Sequence, residues 1–113
     1  MNLFTRGDIV LVDFDPALLT EAAKIRPAII VTNDDANELS PVLVVVPITS
    51  NTQRMYPHEV FLPKQYTGLE TDSKAQIALI RHISRIRIKR PLGFVELDLM
   101  LQIDSRIREH LAL

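Results

Sequence analysis

An arginine and a threonine stand where two prolines restrict the backbone of apolar segments. Arg26 directly precedes Pro27, and a proline disfavours helical conformations in the residue before it, so Arg26 is predicted to be extended at a strand entry. Pro47 cannot donate a hydrogen bond to a neighbouring strand, so we expect a weakened or bulged strand there, with Thr49 and Ser50 at its exposed end. A guanidinium and a hydroxyl group are therefore presented at strand termini. Each could take part in chemistry, although each taken singly is more often structural.

A second set of polar groups lies in the decapeptide "RHISRIRIKR", residues 81–90. It holds five of the 13 Lys and Arg residues and none of the 14 Asp and Glu residues. Arg85, Arg87 and Lys89 alternate with isoleucines, a period-two pattern that would put the three cations on one face of an extended segment. Two interpretations stay open: a solvated strand face, or a stripe that binds phosphate groups.

Several common catalytic and cofactor sites are not favoured. The three glycines are too widely separated for a phosphate-binding loop. The three histidines show neither HxxxH nor HxH spacing, so zinc binding is not indicated, and no GxSxG nucleophile elbow occurs. Asp13 with Asp15, and Asp34 with Asp35, could hold a divalent metal, but turn chemistry explains both pairs more simply.

Length and composition indicate one soluble domain over residues 1–113. Hydrophobic residues make up 47% and charged residues 24%, as in ordinary folded proteins, and the net charge of −1 gives no general support to nucleic-acid binding. The absence of cysteine excludes a disulfide framework and a thiolate metal site. The N-terminus has no apolar signal region, and the longest apolar run is shorter than the roughly 20 residues that cross a membrane. We therefore expect a cytoplasmic protein.

The hydrophobic pattern predicts short strands along most of the chain. They are expected over residues 8–14, 27–33, 41–48 and 58–63 and within "KAQIALIRHI", and "NDDAN" is expected to form a turn. The segment "PAIIVTN" is apolar on both faces, which is typical of a central strand.

The period changes near the C-terminus. Residues there recur at three- and four-residue steps, and all but one of them are apolar. They are Leu97, Met100 or Leu101, the polar Asp104, Ile107 and Leu111, with Ile103 flanking. This spacing predicts an amphipathic helix that packs on the sheet. The expected fold is mainly β with a C-terminal helix, built as a small, strongly bent antiparallel sheet or barrel.

A series of segments, taken in chain order, resembles the MazF/PemK family of ribonuclease toxins. The segments are "RGDIVLVDFDP", "TE" with "RPAIIVTNDDAN", "VPITS", "EVFLP", "GLETDS", "IRHISRIRI" and "LDLMLQIDSRIREHL". They cover almost the whole chain. Of these, "RGDIV", the "DP" that follows it, "RPAIIVTND" and "PITS" are specific when they occur together in this order.

The resemblance implies a fold, a reaction and partners. The implied fold is an SH3-like small barrel of the CcdB/MazF/PemK kind, assembled as a homodimer. The implied activity is sequence-specific cleavage of single-stranded RNA without a metal or other cofactor. The ribose 2′-hydroxyl would attack the adjacent phosphorus, giving a 2′,3′-cyclic phosphate and a 5′-hydroxyl end. A cognate MazE-like antitoxin is implied to neutralise the toxin by occupying its RNA groove.

The resemblance also assigns roles to residues. Arg26 and Thr49 match the catalytic arginine and threonine of the family, and Glu21 matches a loop glutamate. Arg26 offers a planar fork to two phosphate oxygens, and Thr49 can donate to the same phosphate. Because a guanidinium stays protonated, the base could be Glu21, which could instead orient Arg26 through an ion pair. The residues expected to contact RNA are Thr20, Ser50, Arg54, Arg81, Arg85, Arg87 and Lys89.

The segment before Arg26 departs from the family pattern. Leu19, Ala22 and Lys24 stand where the family usually has Gly, Gln and Gly, and Leu79 replaces a usual glutamine. These changes could alter the recognised RNA sequence or mark a weak or inactive relative. The alternatives kept open are a barrel that binds antitoxin or RNA without cleavage and a CcdB-like gyrase poison. The lack of tryptophan counts against the second.

Overall fold

The computed structural model describes residues 4–14 and 25–113. Within these ranges the chain forms a seven-stranded sheet, two α-helices and three single-turn 3-10 helices. The strands are β1 (Asp8–Asp13), β2 (Ile25–Ile30), β3 (Val42–Thr49), β4 (Val60–Leu62), β5 (Ser73–Ala75), β6 (Arg81–Ser84) and β7 (Ile88–Phe94). The α-helices are α1 (Asp34–Leu39) and α2 (Leu97–Leu111), and the 3-10 helices are Lys64–Tyr66, Ile77–Leu79 and Arg85–Arg87. The first four predicted strands are therefore present, with ends shifted by at most three residues, and "KAQIALIRHI" contains parts of β5 and β6 on either side of the 3-10 helix Ile77–Leu79.

The strands pair antiparallel in the order β4-β5-β3-β2-β1-β7, and β6 also pairs with β3. The predicted bulge at Pro47 is wrong, because β3 continues through it in register with β2, with Ala28 opposite Pro47. On its other side β3 pairs first with β6 and then, from Ile48 onward, with β5. Pro47 lies between the part of β3 that pairs with β6 and the part that pairs with β5. Because proline has no N–H group, no backbone donor is left without an acceptor there.

The curled sheet is buried on both faces. Because successive side chains of a strand point to opposite faces, Ile29 and Val46 join one cluster while Ala28 and Val45 join the other. The first cluster also includes Met100 of α2. Burial on both sides explains the apolar character of β2, and its position between β1 and β3 confirms the predicted central strand.

Helix α2 is confirmed, but the predicted packing face is partly wrong. Met100 and Ile103 are buried and Ile107 is partly buried against the same cluster. Asp104 lies on the same side, where its Oδ1 accepts a hydrogen bond from Arg6 Nη2 at 2.6 Å. Two predicted packing leucines, Leu97 and Leu111, are instead exposed, and of the alternatives Met100 and Leu101 it is Met100 that is buried. Neither α-helix of the described ranges is long and apolar enough to span a membrane.

The predicted turn at "NDDAN" is instead the start of helix α1. The Asn33 side chain accepts the N–H of Ala36 at 2.9 Å, which caps the helix. Asn and Asp favour both turns and helix N-termini, so the composition alone did not separate the two. The Asp34 carboxylate accepts the backbone N–H of Arg6 at 2.7 Å and a hydrogen bond from Asn37, and both contacts lower the pKa of Asp34.

Candidate active site

Arg26 lies near the entry of β2 and its side chain is buried. Its backbone is extended and paired with Val12 of β1, as predicted for the residue before Pro27. Only 8% of Arg26 is exposed. Its Nη2 atom donates to the carbonyl oxygen of Ile48 at 3.1 Å and to Oε1 of Gln76. The guanidinium is thereby held against the end of β3.

Thr49 is the last residue of β3 and is half-buried. Ala28 and Pro47 form the terminal pair of β2 with β3, and Arg26 and Thr49 each lie two residues beyond it. Side chains two residues apart along a strand point to the same face, so Arg26 and Thr49 share the face of Ala28 and Pro47. The hydrogen bond from Arg26 to the carbonyl of Ile48, the residue before Thr49, agrees with this placement. The fold therefore brings the predicted guanidinium and hydroxyl together at one end of β2 and β3.

Gln76 is a polar neighbour of Arg26 that the sequence analysis missed. Its backbone N–H donates to the carbonyl of Pro47 at 2.9 Å, and its carbonyl accepts the N–H of Leu79 at 3.0 Å. Both backbone contacts fix Gln76 where β5 gives way to the 3-10 helix Ile77–Leu79. The available signal was a polar residue inside the otherwise apolar stretch "AQIALI", but nothing in that pattern names Arg26 as its partner.

A buried ion pair supports the loop that follows Thr49. Lys74, which pairs with Thr49 across β3 and β5, has its Nζ 2.9 Å from Oε1 of Glu59. The two side chains are only 8% and 5% exposed. Lys74 Nζ also donates to the carbonyl of Arg54 at 2.5 Å, and Glu59 accepts the N–H of Tyr56 at 2.9 Å. These contacts fix the loop beside the site, with the predicted RNA contacts Ser50 and Arg54 exposed to solvent.

The predicted extended stripe at residues 85–89 is wrong in its first half. Arg85–Arg87 is a 3-10 helix, and β7 begins only at Ile88. The Arg85 guanidinium donates to the carbonyls of Asn37 and Ser40 and lies over the ring of Phe4. Arg85 thus has a structural role, and its contact with RNA stays a prediction. Arg87 is half-buried and Lys89 is exposed.

Arg81 shares a sheet face with the site but lies further along the sheet. It is the first residue of β6 and pairs with Val45 of β3. Val45 precedes Thr49 by four residues, or about 13 Å of extended strand. The Arg81 guanidinium lies 5.2 Å from the centre of the Phe14 ring. If a polymer binds across this face, Arg81 and Thr49 would therefore contact different parts of it.

The remaining expectations concern the segment before β2. Thr20 and Glu21 lie outside the described residues, as do Leu19, Ala22 and Lys24. Leu79, the other departure from the family pattern, is half-buried at the end of the 3-10 helix Ile77–Leu79.

The opposite face of the same strand ends carries a groove of about 460 Å³. Leu11, Pro27 and Ile48 line it, and Ser50 and Arg90 are among its polar residues. It adjoins the candidate site through Ser50, the residue after Thr49. In the described parts of the chain, no group of three or more His, Asp or Glu residues is arranged to hold a metal ion.

The arrangement at Arg26 and Thr49 is suited to binding a phosphate group. A guanidinium in a largely buried position interacts more strongly with an anion than one in open water, since solvent screens it less. A threonine hydroxyl beside it can donate to the same anion. Donors held in place before the reaction also stabilise negative charge that develops in a transition state.

Comparison with known proteins decides the family. The model of the PemK-like, MazF-like toxins of type II toxin-antitoxin systems matches residues 5–111. The chain belongs to this family. The resemblance inferred from the motifs is therefore confirmed.

Two relatives of this PemK/MazF chain are similar over nearly its full length. The endoribonuclease MazF9 of Mycobacterium tuberculosis is 42% identical over 116 residues, which covers 98% of each chain. The endoribonuclease MazF of Staphylococcus epidermidis is 30% identical over 106 residues, covering 93% of this chain and 88% of the relative.

The fold is also that of a solved MazF. The crystal structure of MazF from Deinococcus radiodurans superposes with a TM-score of 0.85 at 22% identity, with each chain covered completely. A MazE-MazF complex from the same organism gives a TM-score of 0.80 at 20% identity, covering 100% of this chain and 99% of that one. The predicted fold class, a mainly β MazF-type small barrel with a C-terminal helix, is confirmed.

Proposed function

We propose that this endoribonuclease toxin of the PemK/MazF family cleaves single-stranded RNA where Arg26 of β2 lies near the end of β3. The observation that carries the proposal is the buried Arg26 guanidinium held against Ile48, the residue before Thr49. It occurs in a chain 42% identical to a protein named as an endoribonuclease. An arginine and a hydroxyl at one point of the fold are the donors that a scissile phosphate requires.

In the proposed reaction the ribose 2′-hydroxyl attacks the neighbouring phosphorus, and the bond from phosphorus to the 5′ oxygen breaks. The 2′-hydroxyl proton passes to a base, and the departing 5′ oxygen takes up a proton. Arg26 stabilises the charge on the non-bridging phosphate oxygens, and Thr49 donates a hydrogen bond to the same group. Glu21 serves as the base or orients Arg26. The products are a 2′,3′-cyclic phosphate and a 5′-hydroxyl end, and no step uses a metal ion.

The RNA chain is held by cations and hydroxyls around the site. Ser50 and Arg54 contact it on the exposed loop after Thr49, and Thr20 contacts it before β2. The other proposed phosphate contacts are Arg81, Arg85, Arg87 and Lys89. Such contacts supply affinity that falls as salt concentration rises.

Regulation by an antitoxin follows from the family. Its members are toxins of type II toxin-antitoxin systems, and the MazF of Deinococcus radiodurans has been solved with MazE. A cognate MazE-like antitoxin is the proposed partner of this chain. The toxin acts as a homodimer of single domains, residues 1–113, in the cytoplasm, where its RNA substrate is found.

The test is to incubate the purified protein with a long end-labelled RNA in the presence of EDTA. Cut sites are mapped and the new ends are assayed for a cyclic phosphate. We expect cuts at one short sequence, insensitive to EDTA, that are lost in Arg26→Ala. Arg108→Ala, which removes an exposed arginine of α2, is the matched control and should cleave normally. Binding of the RNA without cleavage would instead support the inactive-barrel alternative.

A further inference from the structure

We propose that Gln76 is a positioning residue that fixes the orientation of the Arg26 guanidinium for the scissile phosphate. The proposal rests on the function proposed above and adds a residue that acts through Arg26 rather than on the RNA. Its basis is the hydrogen bond from Arg26 Nη2 to Gln76 Oε1.

The Nη2 group of Arg26 is fully engaged. An Nη group carries two hydrogens, and this one donates both, one to the Ile48 carbonyl and one to Gln76. The guanidinium is planar, so two acceptors on one nitrogen determine the plane and the rotation of the whole group. The directions of its other N–H bonds are then determined as well. Gln76 thus helps to determine the position at which Arg26 can bind a phosphate group.

Gln76 is itself rigidly placed. Its backbone N–H is bonded to Pro47 and its carbonyl to Leu79, so its side chain starts from a fixed point. A guanidinium only donates, so the amide oxygen of Gln76 must face Arg26. Pro47 and Ile48 belong to the strand that ends at Thr49. The same short piece of β3 therefore positions Gln76, Arg26 and Thr49 relative to one another.

The chemistry of the amide suits this task. A carboxylate in the same place would also orient the guanidinium, but it would compete with the phosphate for the positive charge. A neutral amide oxygen accepts the hydrogen bond without adding a negative charge that would compete with the substrate. Gln76 accordingly differs from Glu21, whose proposed contact with Arg26 would be an ion pair.

The experiment measures kcat and KM on a short RNA that contains the mapped cut site. The variants are Gln76→Ala, Gln76→Asn and, as a control, Gln102→Ala, which removes an exposed glutamine of α2. We expect Gln76→Ala to lower kcat by about 10- to 100-fold with little change in KM, because a displaced catalytic group loses about this much rate. Gln76→Asn, one methylene shorter, should lose a similar amount, and Gln102→Ala should match the native protein.

A double-mutant cycle separates positioning from general structural damage. Gln76→Ala is added to Arg26→Lys, which keeps a positive charge but has no Nη2 group to hold. If Gln76 acts through Arg26, the second change lowers kcat no further. A full multiplicative loss in that background would overturn the proposal. Thermal unfolding of every variant identifies those that fold, and Gln76→Asn carries the test if Gln76→Ala does not.

Failure of this inference is distinguishable from failure of the proposed function. If the native protein does not cleave RNA, the proposed function is wrong and Gln76 has nothing to position. If the native protein cleaves, Arg26→Ala does not, and folded Gln76→Ala retains native kcat, only the role of Gln76 is wrong.

Discussion

Arg26 and Arg85 are both arginines whose guanidinium groups donate to backbone carbonyls, yet they lie in different surroundings. Arg85 donates to the carbonyls of Asn37 and Ser40, at the C-terminal end of α1. Its own backbone N–H donates to the carbonyl of Pro41 at 2.8 Å. Every acceptor named for Arg85 belongs to α1 or to the connection that leads from α1 to β3. Cations at a helix C-terminus satisfy its last carbonyls and favour its dipole.

The Nη2 atom of Arg26 donates to the carbonyl of Ile48 and to the side-chain amide of Gln76, close to the end of β3. A side-chain amide can be removed by substitution without breaking a backbone element, whereas the acceptors of Arg85 cannot. Burial and carbonyl contacts alone therefore do not separate an arginine proposed to be catalytic from a structural one. The features that distinguish Arg26 are its side-chain partner, Gln76, and its position near Thr49.

The largest effect is expected from Arg26→Ala. Removing the guanidinium takes away the main stabilisation of phosphate charge, so cleavage should fall by at least about 1,000-fold. Cleavage rates on the mapped RNA measure the loss, and circular dichroism checks that the variant remains folded. A folded variant with native activity would show that Arg26 is not catalytic and has a structural role, as Arg85 does.

Thr49→Val should be the next most damaging change. It keeps the shape and β-branching of threonine but loses the hydroxyl, so we expect kcat to fall by about 100-fold. Thr49→Ser, which keeps a hydroxyl, is the matched variant and should retain most of the activity. Equal kcat values for the serine and valine variants would mean that the hydroxyl of Thr49 does not act on the substrate.

Arg85→Ala should lower stability rather than kcat. It leaves two carbonyls without their donor, which costs about 1 to 3 kcal/mol in the free energy of unfolding. Denaturant unfolding measures that loss, and kcat should remain native. A raised KM would reveal the RNA contact predicted for Arg85. A lowered kcat in a folded protein would indicate that Arg85, like Arg26, contributes to catalysis.

Arg87→Ala and Lys89→Ala should have smaller effects, confined to RNA binding. If each side chain contacts one phosphate, its loss reduces the slope of log affinity against log salt by about 0.7. Titration of a non-cleavable RNA at several salt concentrations measures the slope. An unchanged slope in both variants would favour the other interpretation of these cations, a solvated face.

The smallest effect concerns Asp34, the first residue of α1. Its pKa is lowered in the folded protein, mainly by the backbone N–H of Arg6, so its charged form contributes stability above the ordinary pKa of 3.8. That contribution should be lost as pH falls below this value. Unfolding free energies of the native protein and Asp34→Asn should therefore converge as the solution is acidified. A constant difference at all pH values would contradict this.

Local rules predicted much of the fold. Pro27 requires an extended Arg26, which the structure has, and the apolar pattern predicted both the central strand β2 and the helix α2. Local rules failed where two outcomes share one composition. The "NDDAN" segment could start a turn or a helix, and the alternating residues from Arg85 could form a strand or a 3-10 turn. In α2, leucine spacing alone did not show which leucines face the sheet.

The sequence by itself determined the family, the strand that carries Arg26 and the polar residues that end β3. Each of these depends on neighbouring residues or on a motif read along the chain. The hydrogen bond between Arg26 and Gln76, which are 50 positions apart, is known only from the tertiary structure. The same is true of the hydrogen bond from Arg85 to Ser40 at the end of α1, 45 positions away. No local periodicity encodes such contacts, because the pairing of β3 with β5 and β6 creates them. The partners of the two arginines, and with them the difference in their surroundings, are therefore a property of the folded sheet.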